Sequence, residues 1–419
     1  MERKAKILIF KQMFDVMNLV IHMRSILHCD LNGFFASVEC LKRPELKNVP
    51  MAVCWDPKTR HGVILAKNEL AKKYGIYTPE TVYSAKKKCP HLVLVSPHHE
   101  EYRKYSKLVN QIYLKYTDRV EPFSIDESFL DITESLDLFG SAYHIAYQIK
   151  EEVKQTLGLT ISVGVSFNKI FAKLGSDMKK PDAITVIDEK HYQEILYPLP
   201  IETMLFVGKA TASTLRKMRI ETIGDLARCD VHRLVKKIGK LGLELYEYAN
   251  GRDDREVKLF TDKREAKSIS RGITFQSDIQ DSNILIEKMG VLVEDIAKNL
   301  RKQDYKASSV ALILKFSDFS VISRQRKIFK TDSYHEILKV AIDLFHENYY
   351  AEKPVRKLTL GVGNLENKKD NIQLDLFELQ SLKQKDEKQK KMAQAMHVMD
   401  QMNEKYGNYK ITFGNIIKK

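Results

Sequence analysis

The chain has 419 residues, more than one hydrophobic core usually holds, so several domains are expected. Its 43% hydrophobic and 30% charged residues are those of an ordinary soluble globular protein, and no stretch is apolar enough to span a bilayer. A formal net charge of +14 favours a polyanionic partner, because surface cations displace counterions from phosphates, without choosing between DNA, RNA and an acidic membrane. Five cysteines, Cys29, Cys40, Cys54, Cys89 and Cys229, form no CxxC pair, which fits free thiols in a reducing cytosol better than a disulfide framework or a zinc site.

Residues 1–23 read as an N-terminal extension, with an apolar patch around Val16 to Ile21 in a segment interrupted by basic residues and no signal-cleavage pattern. The sequence leaves the start open between Met1 and Met23, the latter suggested by a first clear strand that begins at Ile26 and runs to Leu31. A helix follows from Phe34 through Leu41, ending before Pro44. Met51 to Cys54 is another buried strand, which Gly62 to Leu65 is expected to pair with. Asn68 to Tyr74 is helical, stopped by Gly75, and Tyr102 to Tyr116 carries apolar residues at helical spacing. Two apolar strands, Ser128 to Ile132 and Thr160 to Val165, bracket a helix from Ser141 to Leu157, and a basic stretch follows from Asn168 to Lys180. This rhythm predicts an α+β domain with a sheet backed by helices.

From Pro200 to Gly251 the pattern changes to short helices broken by glycines. The charged stretch from Arg252 reads as a linker, and Ser268 to Leu365 alternates strands and helices as a separate small domain. The remainder is polar, apart from Gln373 to Phe377 and a helical stripe of Met392, Met396, Met399 and Met402, read as a packing or partner face.

Three carboxylates carry the chemistry: Asp30 at the end of the first strand, and Asp126 with Glu127 leading into another. A carboxylate at a strand end is costly to shield unless it is paired or bound to a cation. Hard ions such as Mg²⁺ take one or two carboxylates plus substrate phosphates. Two such ions about 3.5–4 Å apart clamp the attacking and leaving oxygens of a phosphoryl transfer. By themselves these three residues fit a solvated acidic turn equally well.

Their surroundings carry a resemblance. Asp30 to Glu39 (DLNGFFASVE) resembles the opening motif of the Y-family DNA polymerases, and Glu121 to Asp131 (EPFSIDESFLD) resembles the family's central acidic motif. Ser162 to Ser166, Phe171 to Lys173 and Asp177 to Pro181 resemble its third, in the family's order and at its separations. The likeness extends over nearly everything from Arg24 to Phe377. It implies a right-hand polymerase of α+β class that copies across damaged templates: palm at 24–33 and 97–187, fingers at 34–96, a thumb with a helix-hairpin-helix at 188–251, a linker at 252–266, a little finger at 267–365 and a tail at 366–419.

By the same resemblance Asp30 and Asp126 bridge two Mg²⁺ ions, Glu127 holds the ion that activates the primer 3′-hydroxyl, and the Leu31 carbonyl completes the nucleotide side. That hydroxyl attacks the α-phosphate of a deoxynucleoside triphosphate and releases pyrophosphate. Phe35 matches the steric gate that excludes ribonucleotides, whereas Phe34 reads as core packing. Lys180 matches a lysine that reaches the phosphates, and the amides of Gly33, Phe34 and Phe35 open a helix, a natural anion site. In the fingers the sequence departs from the family: Lys72 stands where an arginine is usual, which keeps the charge but loses the bidentate fork, and Glu69 where a tyrosine is usual. Asn32 replaces a common aspartate. These departures lean away from the commonest polymerase IV pattern, and the sequence leaves polymerase IV-like and polymerase V-like assignments open.

Gly208 and Lys209 fit a helix-hairpin-helix that offers backbone amides to a DNA phosphate, and Lys267 and Arg271 open the little finger, where Arg324 to Lys327 adds a basic patch. Gln373, Leu374, Leu376 and Phe377 resemble the bacterial sliding-clamp peptide, an extended plug for an apolar pocket. The expected partners are therefore primer-template DNA, deoxynucleoside triphosphates and the sliding clamp, for a monomeric cytoplasmic enzyme without a membrane. Two competing classes remain: a palm-fold nucleotide cyclase, which would need neither hairpin nor clamp peptide, and a non-catalytic clamp-bound scaffold, which would not need Asp126 and Glu127.

Overall fold

Ile26–Leu31 (β1) forms a strand whose six residues are all buried, because helices cover both faces of the sheet it centres. The computed structural model describes residues 24–55, 62–262, 265–350, 353–367, 394–396, 398–402 and 405, in two units that divide between residues 263 and 264. The N-terminal extension and the clamp-like peptide lie outside the described residues.

The first unit continues through Met51–Cys54 (β2), Ile64–Lys67 (β3), Val93–Val95 (β4), Val120–Pro122 (β5), Glu127–Asp131 (β6), Ile161–Ser166 (β7) and Ile184–Ile187 (β8). Its main sheet has the order β5-β6-β1-β7-β8, with β1 antiparallel to both β6 and β7. The period-two alternation of β1 sorts its residues by face. Leu27, Cys29 and Leu31 join the core beneath helices His99–Tyr113 and Ala142–Leu157, with Tyr102, Ile145 and Ile149. Ile26, His28 and Asp30 point to the other face, towards helix Lys169–Met178, where Ile26 meets Phe129 and Ala172.

That helix starts cleanly because Asn168 caps it, its side chain accepting from Phe171 N–H at 2.8 Å. It lies so close to the sheet that a Cβ at Gly164 would stand 1.9 Å from the carbonyl oxygen of Ala172 and 2.5 Å from the nitrogen of Ser176. Only glycine permits this approach.

The sequence-predicted strand pair of the fingers forms as β2 with β3, two residues later than read, and β4 adds parallel to β2. Helix Glu69–Lys73 is capped by Asn68 and ends before Gly75, which has a φ of +73. The helices Lys209–Lys217, Ile223–Arg228, Val231–Ile238 and Lys240–Ala249, in the stretch expected to be the thumb, share a core of Leu215, Ile223, Leu226, Leu234 and Leu245. Much of the stretch expected to be a linker is instead fastened to the palm. Val257 and Asp253 are buried, Lys258 N–H donates to Glu121 at 3.1 Å, Phe260 N–H to the Asp118 carbonyl at 3.1 Å, and Arg24 to the Asp253 carbonyl at 2.5 Å.

The second unit is a four-stranded antiparallel sheet of Ser268–Ile279 (β9), Tyr305–Phe316 (β10), Val321–Thr331 (β11) and Val355–Asn367 (β12), in the order β11-β10-β12-β9. Helices Ser282–Lys302 and Tyr334–Asn348 bury one face of it. The pairing of β10 with β11 is interrupted between Ala307 and Ser309, where β11 carries the extra residues, while the register of β10 with β12 stays regular there; Ala307, Val310, Leu312 and Leu314 of β10 are buried in the core. The methionine stripe is partly a packing face: Met396 is buried in this core, and Asp400 takes both arms of Arg301, at 2.7 and 3.1 Å.

Gly164→Ala is expected to cost at least about 1–3 kcal/mol, the usual penalty for overpacking, because backbone rather than a side-chain tip is in the way. A thermal melt checks this; an unchanged midpoint would mean that the helix moves off the sheet freely.

Candidate active site

The register of the sheet brings the acidic residues together. Asp30 pairs with Glu127 across β1 and β6, and period two puts both on the face below helix Lys169–Met178. The hydrogen bond from Leu31 N–H to the Asp126 carbonyl, 3.0 Å, ties the next step of the ladder and fixes Asp126 beside the pair. The Asp126 carboxylate itself accepts from the Ser124 hydroxyl at 2.6 Å.

Two like charges facing each other in a buried register need a cation. Lys173 supplies it: its ammonium lies 3.4 Å from Asp30, 3.1 Å from Glu127 and 3.0 Å from Asp177. Lys180 sits 2.8 Å from both Asp30 and Asp177. Sequence reasoning assigned Lys180 to the phosphates and gave Lys173 no role, although the four-residue spacing to Asp177 places both on one side of the helix.

The two carboxylates respond oppositely. Burial pushes Asp30 up to about 6, against the pull of Lys180 and Lys173. Burial also works to raise Glu127, but the His28 imidazole and the Lys173 ammonium outweigh it and hold that carboxyl down at about 2. His28 is fully buried on the same face of β1, with Nε2 3.5 Å from Glu127 and Nδ1 2.8 Å from the Ser176 hydroxyl, and burial lowers its own proton affinity. It was not singled out from the sequence.

Beyond the end of β1, Gly33 has a φ of +52 and precedes helix Phe34–Lys42 without any side-chain cap on the first turn; a Cβ at Gly33 would come 3.2 Å from the Lys67 carbonyl. Phe34 is buried in the palm core, as read, which leaves its backbone alone for a ligand. Phe35 is half-buried, its ring stacked on Tyr102. Asn32 is bonded at both ends of its side chain: the nitrogen donates to the Ser162 hydroxyl at 2.9 Å and the oxygen accepts from Asp182 N–H at 2.8 Å. Lys72 and Glu69 are both exposed and lie 3.6 Å apart as an i,i+3 pair.

Of the expected DNA contacts, Gly208 and Lys209 are exposed at the start of their helix, but the hairpin's first arm is a single 3₁₀ turn, Ile201–Thr203. Lys267 is exposed. Arg271 is paired with Asp295, and Arg326 with Glu347 at 2.6 Å, so part of the basic surface is neutralised by neighbouring helices.

The impB/mucB/samB family matches residues 29–177, and the impB/mucB/samB family C-terminal domain matches residues 266–376. The chain is 42% identical over 396 residues to the DNA polymerase IV of Acetivibrio thermocellus, covering 94% of this chain and 98% of that one. It is 36% identical over 396 residues to the DNA polymerase IV of Clostridium kluyveri (94% and 99% covered). To DNA polymerase IV 1 of Bacillus subtilis it is 34% identical over 401 residues (94% of each). The solved structure of the Y-family DNA polymerase chimera Dbh-Dpo4(243-245)-Dbh has a likeness in fold, with a TM-score of 0.73 at 24% identity, over 82% of this chain and 99% of that one.

Lys173→Met keeps the aliphatic stem but removes the charge, so the Glu127 carboxyl should rise from about 2 towards its ordinary value. Ionised Glu127 contributes stability that is present above the ordinary carboxylate range and lost as pH falls through the folded value, so the variant loses part of it at neutral pH. Carbon-13 NMR titration of the side-chain carboxyls in metal-free protein reads this, and an unmoved Glu127 would leave His28 as the sole cause.

Proposed function

This chain belongs to the Y family of DNA polymerases and is a DNA-directed DNA polymerase of the translesion kind, related to the polymerases IV; we propose that Asp30, Asp126 and Glu127 are its catalytic carboxylates and that it works by two-metal nucleotidyl transfer. The observation that carries this reading is the register pair of Asp30 and Glu127, with Asp126 held beside it through Leu31.

The donor set suits Mg²⁺: Asp30, Asp126, Glu127 and the Leu31 carbonyl offer only hard oxygens. Among the described residues no three acidic, histidine or cysteine side chains form a ready cage, and the Asp126 carboxylate is turned to Ser124. That agrees with an ion that completes its shell with substrate phosphates. When bound there, two Mg²⁺ ions supply charge neutralisation at the triphosphate and at the attacking and leaving oxygens.

The remaining work falls to the chain. The primer 3′-hydroxyl attacks the α-phosphate, a phosphodiester bond forms as the bond to the bridging oxygen breaks, and pyrophosphate leaves. Lys180, already within reach of Asp30, turns to the triphosphate once another cation serves that carboxylate. The uncapped helix start at Gly33, Phe34 and Phe35 takes a phosphate oxygen, and Lys72 adds charge. Phe35 is the steric gate below the sugar. Gly208 and Lys209 in the thumb and Lys267 and Arg271 in the little finger hold the duplex backbone. In this reading palm, fingers, thumb and little finger occupy the ranges expected from the sequence, with the stretch after Gly251 packed on the first unit rather than free. Gln373, Leu374, Leu376 and Phe377 dock on the sliding clamp, for an enzyme that is monomeric and cytoplasmic; no described helix is long and apolar enough to cross a membrane.

Asp126→Ala and Glu127→Ala should each lower primer extension with Mg²⁺ by at least about a hundredfold, Asp126→Ala with a melting temperature near that of the parent and Glu127→Ala with a lower one, because it removes the carboxylate that His28 and Lys173 hold ionised. Retained synthesis would remove both from the reaction. Deleting residues 373–377 should abolish stimulation by the clamp and spare distributive synthesis on a short primer, and stimulation that survives would place the clamp contact elsewhere.

A further inference from the structure

Behind Phe35 lies a side-chain assembly that the transfer reaction does not use. The Phe35 ring stacks on Tyr102 with centroids 4.0 Å apart and planes inclined by 11°. Tyr102 comes from helix His99–Tyr113 and is fully buried. Its hydroxyl donates to Glu39 Oε1 at 2.5 Å, and the same oxygen lies 2.8 Å from His98 Nδ1. Glu39 is only 1% exposed and stands one helical turn after Phe35 on the same helix. His99 meets both rings edge-on, at 5.8 Å from Phe35 and 5.7 Å from Tyr102.

A buried carboxylate is costly unless its oxygens are bonded, so Glu39 is a fixed post wherever Tyr102 and His98 serve it. A ring stacked on one side and braced at its edge loses the alternative rotamers that an isolated helical phenylalanine could use. Exclusion by shape is only as strict as the excluding wall is stiff.

We propose that Glu39, His98 and Tyr102 are positioning residues for sugar selection: they hold Tyr102 against Phe35, so that the ring cannot retreat from a 2′-hydroxyl. The proposal rests on reading Phe35 as the steric gate. None of the three residues touches the sugar; Glu39 and His98 act through Tyr102, and Tyr102 acts through Phe35.

The test compares kcat/KM for a deoxynucleotide and for the matching ribonucleotide in single-nucleotide primer extension. Tyr102→Leu and Glu39→Leu should each raise relative ribonucleotide insertion by about tenfold, with a smaller loss for the deoxynucleotide. Glu39→Gln retains an acceptor oxygen and should stay near the parent. Phe35→Ala should relax selection further, and adding Tyr102→Leu to it should change nothing more, because the residue through which Tyr102 acts is gone. If the leucine variants fail to fold, Tyr102→Phe and His98→Ala take their place, with an expected rise of about threefold. Unchanged selectivity in these variants beside a relaxed Phe35→Ala overturns the positioning role alone, as do effects that multiply in the double variant. Unchanged selectivity in Phe35→Ala overturns the gate itself, and this proposal with it.

Discussion

The active face of the palm depends on a contact between backbones. Helix Lys169–Met178 rests on the sheet where Gly164 has no side chain, close enough for the Ala172 carbonyl to occupy the place of a Cβ. Gly164 is the register partner of His28, so the helix arrives over the middle of β1, one pleat from Asp30. From there Ser176 reaches His28 and Lys173 reaches Asp30 and Glu127. A helix held a methyl group further out would leave buried Asp30 and half-buried Glu127 facing each other with their cation withdrawn.

The electrostatics of the site follow from that arrangement. Asp30 and Glu127 occupy adjacent strands at one level, yet Asp30 is pushed up by burial whereas Glu127 is held low by His28 and Lys173. The asymmetry lies in burial, which outweighs the two lysines at Asp30 but is outweighed by His28 and Lys173 at Glu127. Two lysines stand in the space where a substrate's cations and phosphates would meet the carboxylates, so charge balance is kept before ligands arrive. Because lysine is a point charge on a flexible stem, it can give up one carboxylate and follow an incoming phosphate without reshaping the sheet.

Much of this architecture was legible in the sequence, and the reasons are physical. β1, β6 and β7 are short apolar runs bounded by turns, and Asp30 and Glu127 sit near the ends of β1 and β6, where a carboxylate is costly to shield. Motif order then joined Asp30 to Asp126 and Glu127, which no periodicity could have done. What escaped was set by tertiary contact. Lys173 and His28 looked like members of a basic helix and an apolar strand until the close approach at Gly164 gave them partners. Glu39 and Tyr102 lie far apart in sequence and meet only because two helices pack on the same side of the palm. The charged composition after Gly251 suggested a loose linker, whereas Val257 and Asp253 are buried against the palm by bonds that composition does not report. The polymerase IV relatives also answer the question left open by Asn32: its amide serves Ser162 and Asp182 in the structure, which makes it poor grounds for placing the chain within the family.

β12 ends at Asn367, and Met396 and Asp400, from much later in the chain, pack on the core that β9 to β12 and their helices build. The second unit is therefore not finished where its last strand ends. A chain cut after Asn367 would lack the side chain that Met396 inserts and would leave Arg301 without the carboxylate that takes both its arms, so a cut that spares every strand would still open an apolar hollow and strand a cation beside it.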